Sequence, residues 1–114
     1  MKKFAVIKVD GVVELHEVSA EAEGDFLSEA VGGWFQSVPL RAELKDYWLW
    51  CHEEGKIIGL AMNSVATALW ILSYGPSDII HGNIVITGGI DEEGETLGLT
   101  NDQIAKLEEI LELV

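Results

Sequence analysis

Phe4-Ala5-Val6-Ile7-Lys8-Val9-Asp10-Gly11-Val12-Val13-Glu14-Leu15-His16-Glu17-Val18 is the stretch that decides the fold class. Its first six residues are apolar at every position but one, as in a strand covered on both faces. Asp-Gly between two such runs is a strong hairpin signal. After it, Val13 and Leu15 alternate with Glu14 and His16, the period-two pattern of a half-buried strand. The expectation is an antiparallel pair, Phe4 to Val9 with Val13 to Val18, in which Val13 and Leu15 face the core and Glu14 and His16 face water.

Working outward, Phe26, Leu27, Ala30 and Val31 recur at helical spacing, and Gly32 stands where a left-handed helix terminator belongs. The segments Trp34 to Leu40 and Tyr47 to His52 read as strands joined by a polar turn over Arg41 to Asp46. Val65, Ala66, Leu69, Trp70 and Leu72 mark a mostly buried helix from Asn63 to Ser73, with Asn63 as its N-cap and Gly75-Pro76 as its stop. Ile79 to Thr87 is β-branched and ends at Gly88-Gly89, which predicts a further strand. Thr100 and Gln103 hold the spacing of a capping box, and Leu99 with Ile104 that of a hydrophobic staple, so a last helix starts at Asn101. On it Ile104, Leu107, Ile110, Leu111 and Val114 share one face, while Glu108, Glu109 and Glu112 lie on the other. The order β-β-α-β-β-α-β-α predicts a single α+β domain, residues 1–114, with a mainly antiparallel sheet and helices packed on it.

Composition narrows the function classes. The 114 residues hold 7 Lys and Arg against 20 Asp and Glu, a net charge of −13, with 48% hydrophobic residues. That is enough apolar material for a packed core and the wrong charge for gripping phosphate backbones, so direct nucleic-acid binding is not expected. After Lys56 the only basic residue is Lys106, which makes the second half the more acidic. No apolar run reaches the length of a membrane span, and Lys8 interrupts the apolar start before a signal-peptide core forms, so a cytoplasmic protein off the membrane is expected. Cys51 is the single cysteine, which excludes an internal disulfide and a cysteine zinc cage.

No catalytic constellation stands out. Cys51 and His52 are adjacent on a strand and point to opposite faces, which bars them from acting as nucleophile and base. His16, His52 and His81 fall on three different strands, with no metal-ligand spacing. Asp91-Glu92-Glu93-Gly94-Glu95 has consecutive carboxylates where a calcium loop needs alternate ones, and reads as a solvated turn. Neither a metal nor a cofactor is expected.

Two clusters rise above this background. Tyr47-Trp48-Leu49-Trp50-Cys51-His52 puts Tyr47, Leu49 and Cys51 on one face of a strand and Trp48, Trp50 and His52 on the other. Either helices cover both faces, or the Trp48, Trp50 and His52 face is partly open and anchors a partner, since Trp is enriched at interface hot spots. Asn63, Ser64 and Thr67 form a polar start to an apolar helix. Capping accounts for Asn63 and Ser64, and Asn63 with Thr67, one turn apart, is the candidate lining of a small polar ligand pocket.

Asp10-Gly11, Gly32-Gly33, Glu54-Gly55, Gly59-Leu60, Asn63, Ala66-Thr67, Asp78, Gly82, Val85, Thr87-Gly88, Leu99-Thr100 and Gln103, in this order, resemble a family of short proteins of unknown function encoded by bacteriophages, actinobacteria and mobile elements. Relatives often carry Pro after the Leu and basic residues after the Asn, where this chain has Ala61, Ser64 and Val65. The resemblance implies a small accessory or host-interaction role and brings no activity with it. The reading that results is a nonenzymatic protein-binding module that contacts a host factor. The alternatives are a small-ligand-binding domain using Asn63 and Thr67, and an acidic nucleic-acid mimic directed at a DNA-binding protein. Self-association stays open.

Overall fold

In the computed structural model, which describes residues 1–114, the opening hairpin forms as β1 (Lys2–Ile7) and β2 (Val13–Val18), with Ala5 opposite Leu15 and Ile7 opposite Val13. β1 stops at Ile7 rather than Val9 because the turn starts early. The Lys8 N–H donates to the Val12 carbonyl, the Gly11 N–H returns to the Lys8 carbonyl, and the Val12 N–H donates to the Asp10 carboxylate. Gly11 has φ +89, a conformation that costs glycine little.

The remaining strands are β3 (Phe35–Pro39), β4 (Trp48–His52) and β5 (Ile84–Thr87), and the helices are α1 (Glu23–Val31), α2 (Ser64–Tyr74) and α3 (Asn101–Glu112). All pairings are antiparallel and the sheet order is β2-β1-β5-β4-β3. The chain is therefore a single α+β domain with the element order that the sequence predicts, plus a 3₁₀ turn over Ala42–Leu44 that buries Leu44.

Strand alternation separates two cores. Ala5, Ile7, Leu49, Cys51, Ile84 and Ile86 point to the face covered by α2 and α3, where Ala66, Leu69, Leu107 and Ile110 meet them. Phe4, Val6 and Val85 point to the other face, under Leu27 and Val31 of α1. Tyr47 is fully buried, and its hydroxyl donates to the Gln103 carbonyl at 2.6 Å, which ties β4 to the start of α3. α3 opens with the complete capping box. The Gln103 N–H donates to the Thr100 hydroxyl at 3.1 Å, and the Gln103 side chain accepts the Thr100 N–H at 2.9 Å.

Two expectations are corrected. Val13 and Leu15 are not core residues: they are 41% and 51% exposed. They do share a face with Ala5 and Ile7, but β2 is the edge strand, and only the end of α3 at Leu111 reaches them. Glu14 and His16 are half-buried on the opposite face. There His16 stands 5.2 Å from Phe26 and Glu14 pairs with Lys8. The strand expected over Ile79 to Thr87 is only four residues long, Ile84–Thr87. Gly82, at φ +84, breaks the extended run, and His81 instead makes an isolated antiparallel bridge to Met62.

Candidate functional site

On β4 the two tryptophans have different surroundings. Trp50 packs against the α1 core, sets its ring edge-on to Phe35 at 5.6 Å and donates its indole N–H to the Thr87 hydroxyl at 2.9 Å. That hydroxyl in turn donates a hydrogen bond to the Gly88 carbonyl. Trp48, also half-buried, packs into neither core cluster. The indole N–H groups of Trp50 and Trp70 are satisfied inside the chain, whereas Trp48 and Trp34 make no such bond. Trp34, just before β3, is 81% exposed. Nothing in the pattern around Trp34 marks it, because a tryptophan ahead of an apolar strand reads as part of that strand.

His52, the third member of the predicted face, has a structural position. Its Nδ1 accepts the Glu54 N–H at 2.9 Å, so the neutral ring carries its proton on Nε2. That Nε2 lies against Gly33, where a Cβ would come within 2.8 Å of it. The imidazole thus organises the turn after β4 and fits against the bare backbone after α1.

Asn63 has no exposed surface. Its carbonyl oxygen accepts the Ala66 N–H at 3.0 Å, the N-cap bond of α2, and its amide donates to the carbonyls of Ile7 and Gly82, each at 3.0 Å. One side chain thus fastens the start of α2 to the end of β1 and to the segment before β5. Thr67, half-buried, accepts the Ile80 N–H on its hydroxyl at 3.0 Å. The two residues do not line a shared opening, since both amide hydrogens of Asn63 are taken inside the protein.

A cavity of about 250 Å³ lies nearby, between the β3–β4 end, the loop after β4, α2 and the segment 78–81. Gln36, Cys51, Lys56, Trp70, Asp78 and His81 are among its walls. Burial pushes the Cys51 thiol up from its ordinary value, and its sulfur receives only a long contact from Gln36, at 3.7 Å. A thiol so placed is a poor nucleophile at neutral pH. Lys56 and Asp78 form an ion pair at the mouth, and the hydrogen bond from Lys56 holds the Asp78 carboxyl below its ordinary range. The His81 Nδ1 lies 2.9 Å from the Leu60 carbonyl, which can only accept, so Nδ1 carries a proton, and Nε2 is left unbonded within the chain. No three His, Cys, Asp or Glu side chains gather into a metal-holding group. Sequence reasoning missed this cavity because its walls come from separate segments with no common spacing.

The family described as a domain of unknown function, DUF3846, matches residues 1–112. The chain belongs to that family. No curated protein and no solved structure matches it.

In this DUF3846 domain the residues that carry the resemblance hold the architecture together. Gly32 caps α1 at φ +89. A Cβ at Gly82 would meet the Leu60 side chain at 2.7 Å, and one at Gly88 would meet the Gly98 and Leu97 carbonyls at 2.8 and 2.9 Å. Outside those residues, Asp91 accepts the N–H groups of Glu93 and Glu95 in its own turn, the ordinary work of an Asx turn. No helix is long and apolar enough to cross a membrane.

Proposed function

We propose that this DUF3846 domain is a nonenzymatic protein-binding module whose recognition surface is the β3–β4 half of the sheet, anchored by Trp48. The observation that carries the reading is the contrast between Trp50 and Trp48 on one face of one strand. Trp50 is packed and its N–H is satisfied, while Trp48 stands outside both cores with its N–H free. A half-buried indole with an unused donor presents a rigid apolar surface and one directional bond, the combination found at interface anchors. The partner we propose is a host protein, met in the cytoplasm by an accessory protein of a phage or mobile element.

The test compares Trp48→Ala with Trp50→Ala, as baits for affinity isolation from host lysate and in thermal melts. Trp48→Ala is expected to keep the wild-type melting temperature and to lose about 2 kcal/mol or more of affinity for the partner that the wild type retains. Trp50→Ala is expected to lose about 2 to 4 kcal/mol of stability. Equal retention of the same partner by Trp48→Ala, or unfolding of that variant, overturns the proposal.

The Cys51 cavity supports a second reading, a small-ligand site. At about 250 Å³ it lies just below the usual range of ligand pockets. A melting-temperature rise with a small molecule that also shields Cys51 from alkylation would favour this reading.

A further inference from the structure

We infer that the free edge of β2 is a docking site for an extended, basic segment of another protein, added to the sheet as a sixth strand. β2 ends the sheet, so one side of its backbone has no strand partner. Which groups are free follows from the hairpin. The Lys8 N–H donates to the Val12 carbonyl, so Lys8 and Val12 are a hydrogen-bonded pair, and the pairs Val6–Glu14 and Phe4–His16 follow by alternation. The backbone groups of Val13, Leu15 and Glu17 therefore point away from β1, into the open edge. β1 agrees with this phase, since the Lys3 carbonyl accepts the Leu99 N–H and the Ile7 carbonyl accepts from Asn63, both away from β2.

The same alternate residues supply a side-chain surface. Val13 and Leu15 are 41% and 51% exposed on the face that α3 only partly reaches, and Leu111 borders them. Glu108 and Glu112 close this shallow groove from the α3 side. Carboxylates in the last turns of a helix face the negative end of its dipole, so their place here does not serve α3 itself. β2 is six residues long with no proline and no bulge in its pairing, and the charges it carries, Glu14 and Glu17, repel acidic strands while admitting a basic one.

Charge selects the occupant. Backbone groups at Val13, Leu15 and Glu17 provide strand-addition hydrogen bonds, and the occupant's alternate side chains on the α3 face are apolar in the middle, against Val13 and Leu15, and Lys or Arg at the ends, against the glutamates. A second copy of this chain is disfavoured, because it would bring another net charge of −13 to a groove already rimmed with carboxylates. The site lies at the opposite sheet edge from β3 and is independent of the Trp48 proposal.

The probe is a blocked heptapeptide whose first, third, fifth and seventh residues are lysine, valine, valine and lysine with threonine between them, titrated into the labelled full chain and followed by amide NMR, with the same peptide carrying glutamate for lysine as control. The lysine peptide is expected to shift the amides of Val13, Leu15 and Glu17, to protect them from exchange, and to bind at least about tenfold tighter than the control. Leu15→Lys is expected to weaken binding about tenfold with an unchanged melting temperature, while Trp48→Ala leaves binding unchanged. The inference is overturned by any of three results: no shift in β2 amides at millimolar peptide, equal binding of the two peptides, or an equilibrium-sedimentation dimer of the free chain that Leu15→Lys dissolves.

Discussion

Asn63 shows how much one amide can decide. It caps α2, holds the end of β1 and holds the carbonyl of Gly82, all without touching solvent. Replacing it by Ala removes a cap and the two hydrogen bonds its amide gives to the Ile7 and Gly82 carbonyls, a loss of roughly 3 kcal/mol. Urea unfolding of Asn63→Ala should show a lower midpoint with an unchanged slope. Asn63→Asp keeps the cap acceptor but sets a buried carboxylate oxygen against the Ile7 and Gly82 carbonyls, and should be no more stable than Asn63→Ala. At the surface, Asp78 titrates low because Lys56 hydrogen-bonds to it. A depressed carboxyl contributes stability above its unfolded pKa and loses it as pH falls through the folded value. Carbon NMR of the Asp78 carboxyl should therefore show it still ionised where a free aspartate has begun to protonate, and Lys56→Met should move its titration upward. The effect on unfolding in acid is expected to be small, since the pair is largely exposed and screened by solvent.

At the scale of elements, local signals worked where the chemistry is itself local. The Thr100 and Gln103 box was legible because both partners lie within one turn, and both of its bonds are present. Thr100→Ala should cost about 1 kcal/mol, measured by thermal melting, while Glu109→Ala on the exposed face of α3 should change stability by less than about 0.5 kcal/mol. The glycine terminator of α1 was legible for the same reason, since Gly32 must take a positive φ whatever lies around it. Element ends that depend on distant partners were less legible. β5 starts at Ile84 because Gly82 turns the chain and Asn63 captures its carbonyl, and Asn63 lies 19 residues upstream. α1 begins at Glu23, three residues before its apolar spacing starts at Phe26, where Glu23 pairs with Lys2 at 2.8 Å.

For the whole molecule, the charge balance and its placement act together. Lys2, Lys8 and Lys56 are paired with Glu23, Glu14 and Asp78, and Arg41 lies 4.8 Å from the ring centre of Tyr74. Few cations are left to neutralise phosphates, so the protein should not retard a DNA duplex in a gel at about 0.15 M salt. Submicromolar retardation there would contradict this electrostatic account. Alternation along the chain was enough to establish the α+β class, the hairpin, the order of elements and which residues share a face, because these depend on backbone geometry and near neighbours. It did not establish which faces are covered. Val13 and Leu15 obey the pattern of buried residues yet are exposed, because β2 became an edge beyond the reach of α3. Trp48 and Trp50 share a face yet differ in role, because Trp50 alone packs into the α1 core and finds the Thr87 hydroxyl. The Cys51 cavity closes only when separate segments meet. Periodicity tells each side chain which way to point, but burial depends on what arrives opposite it, and that is settled by contacts distant in sequence.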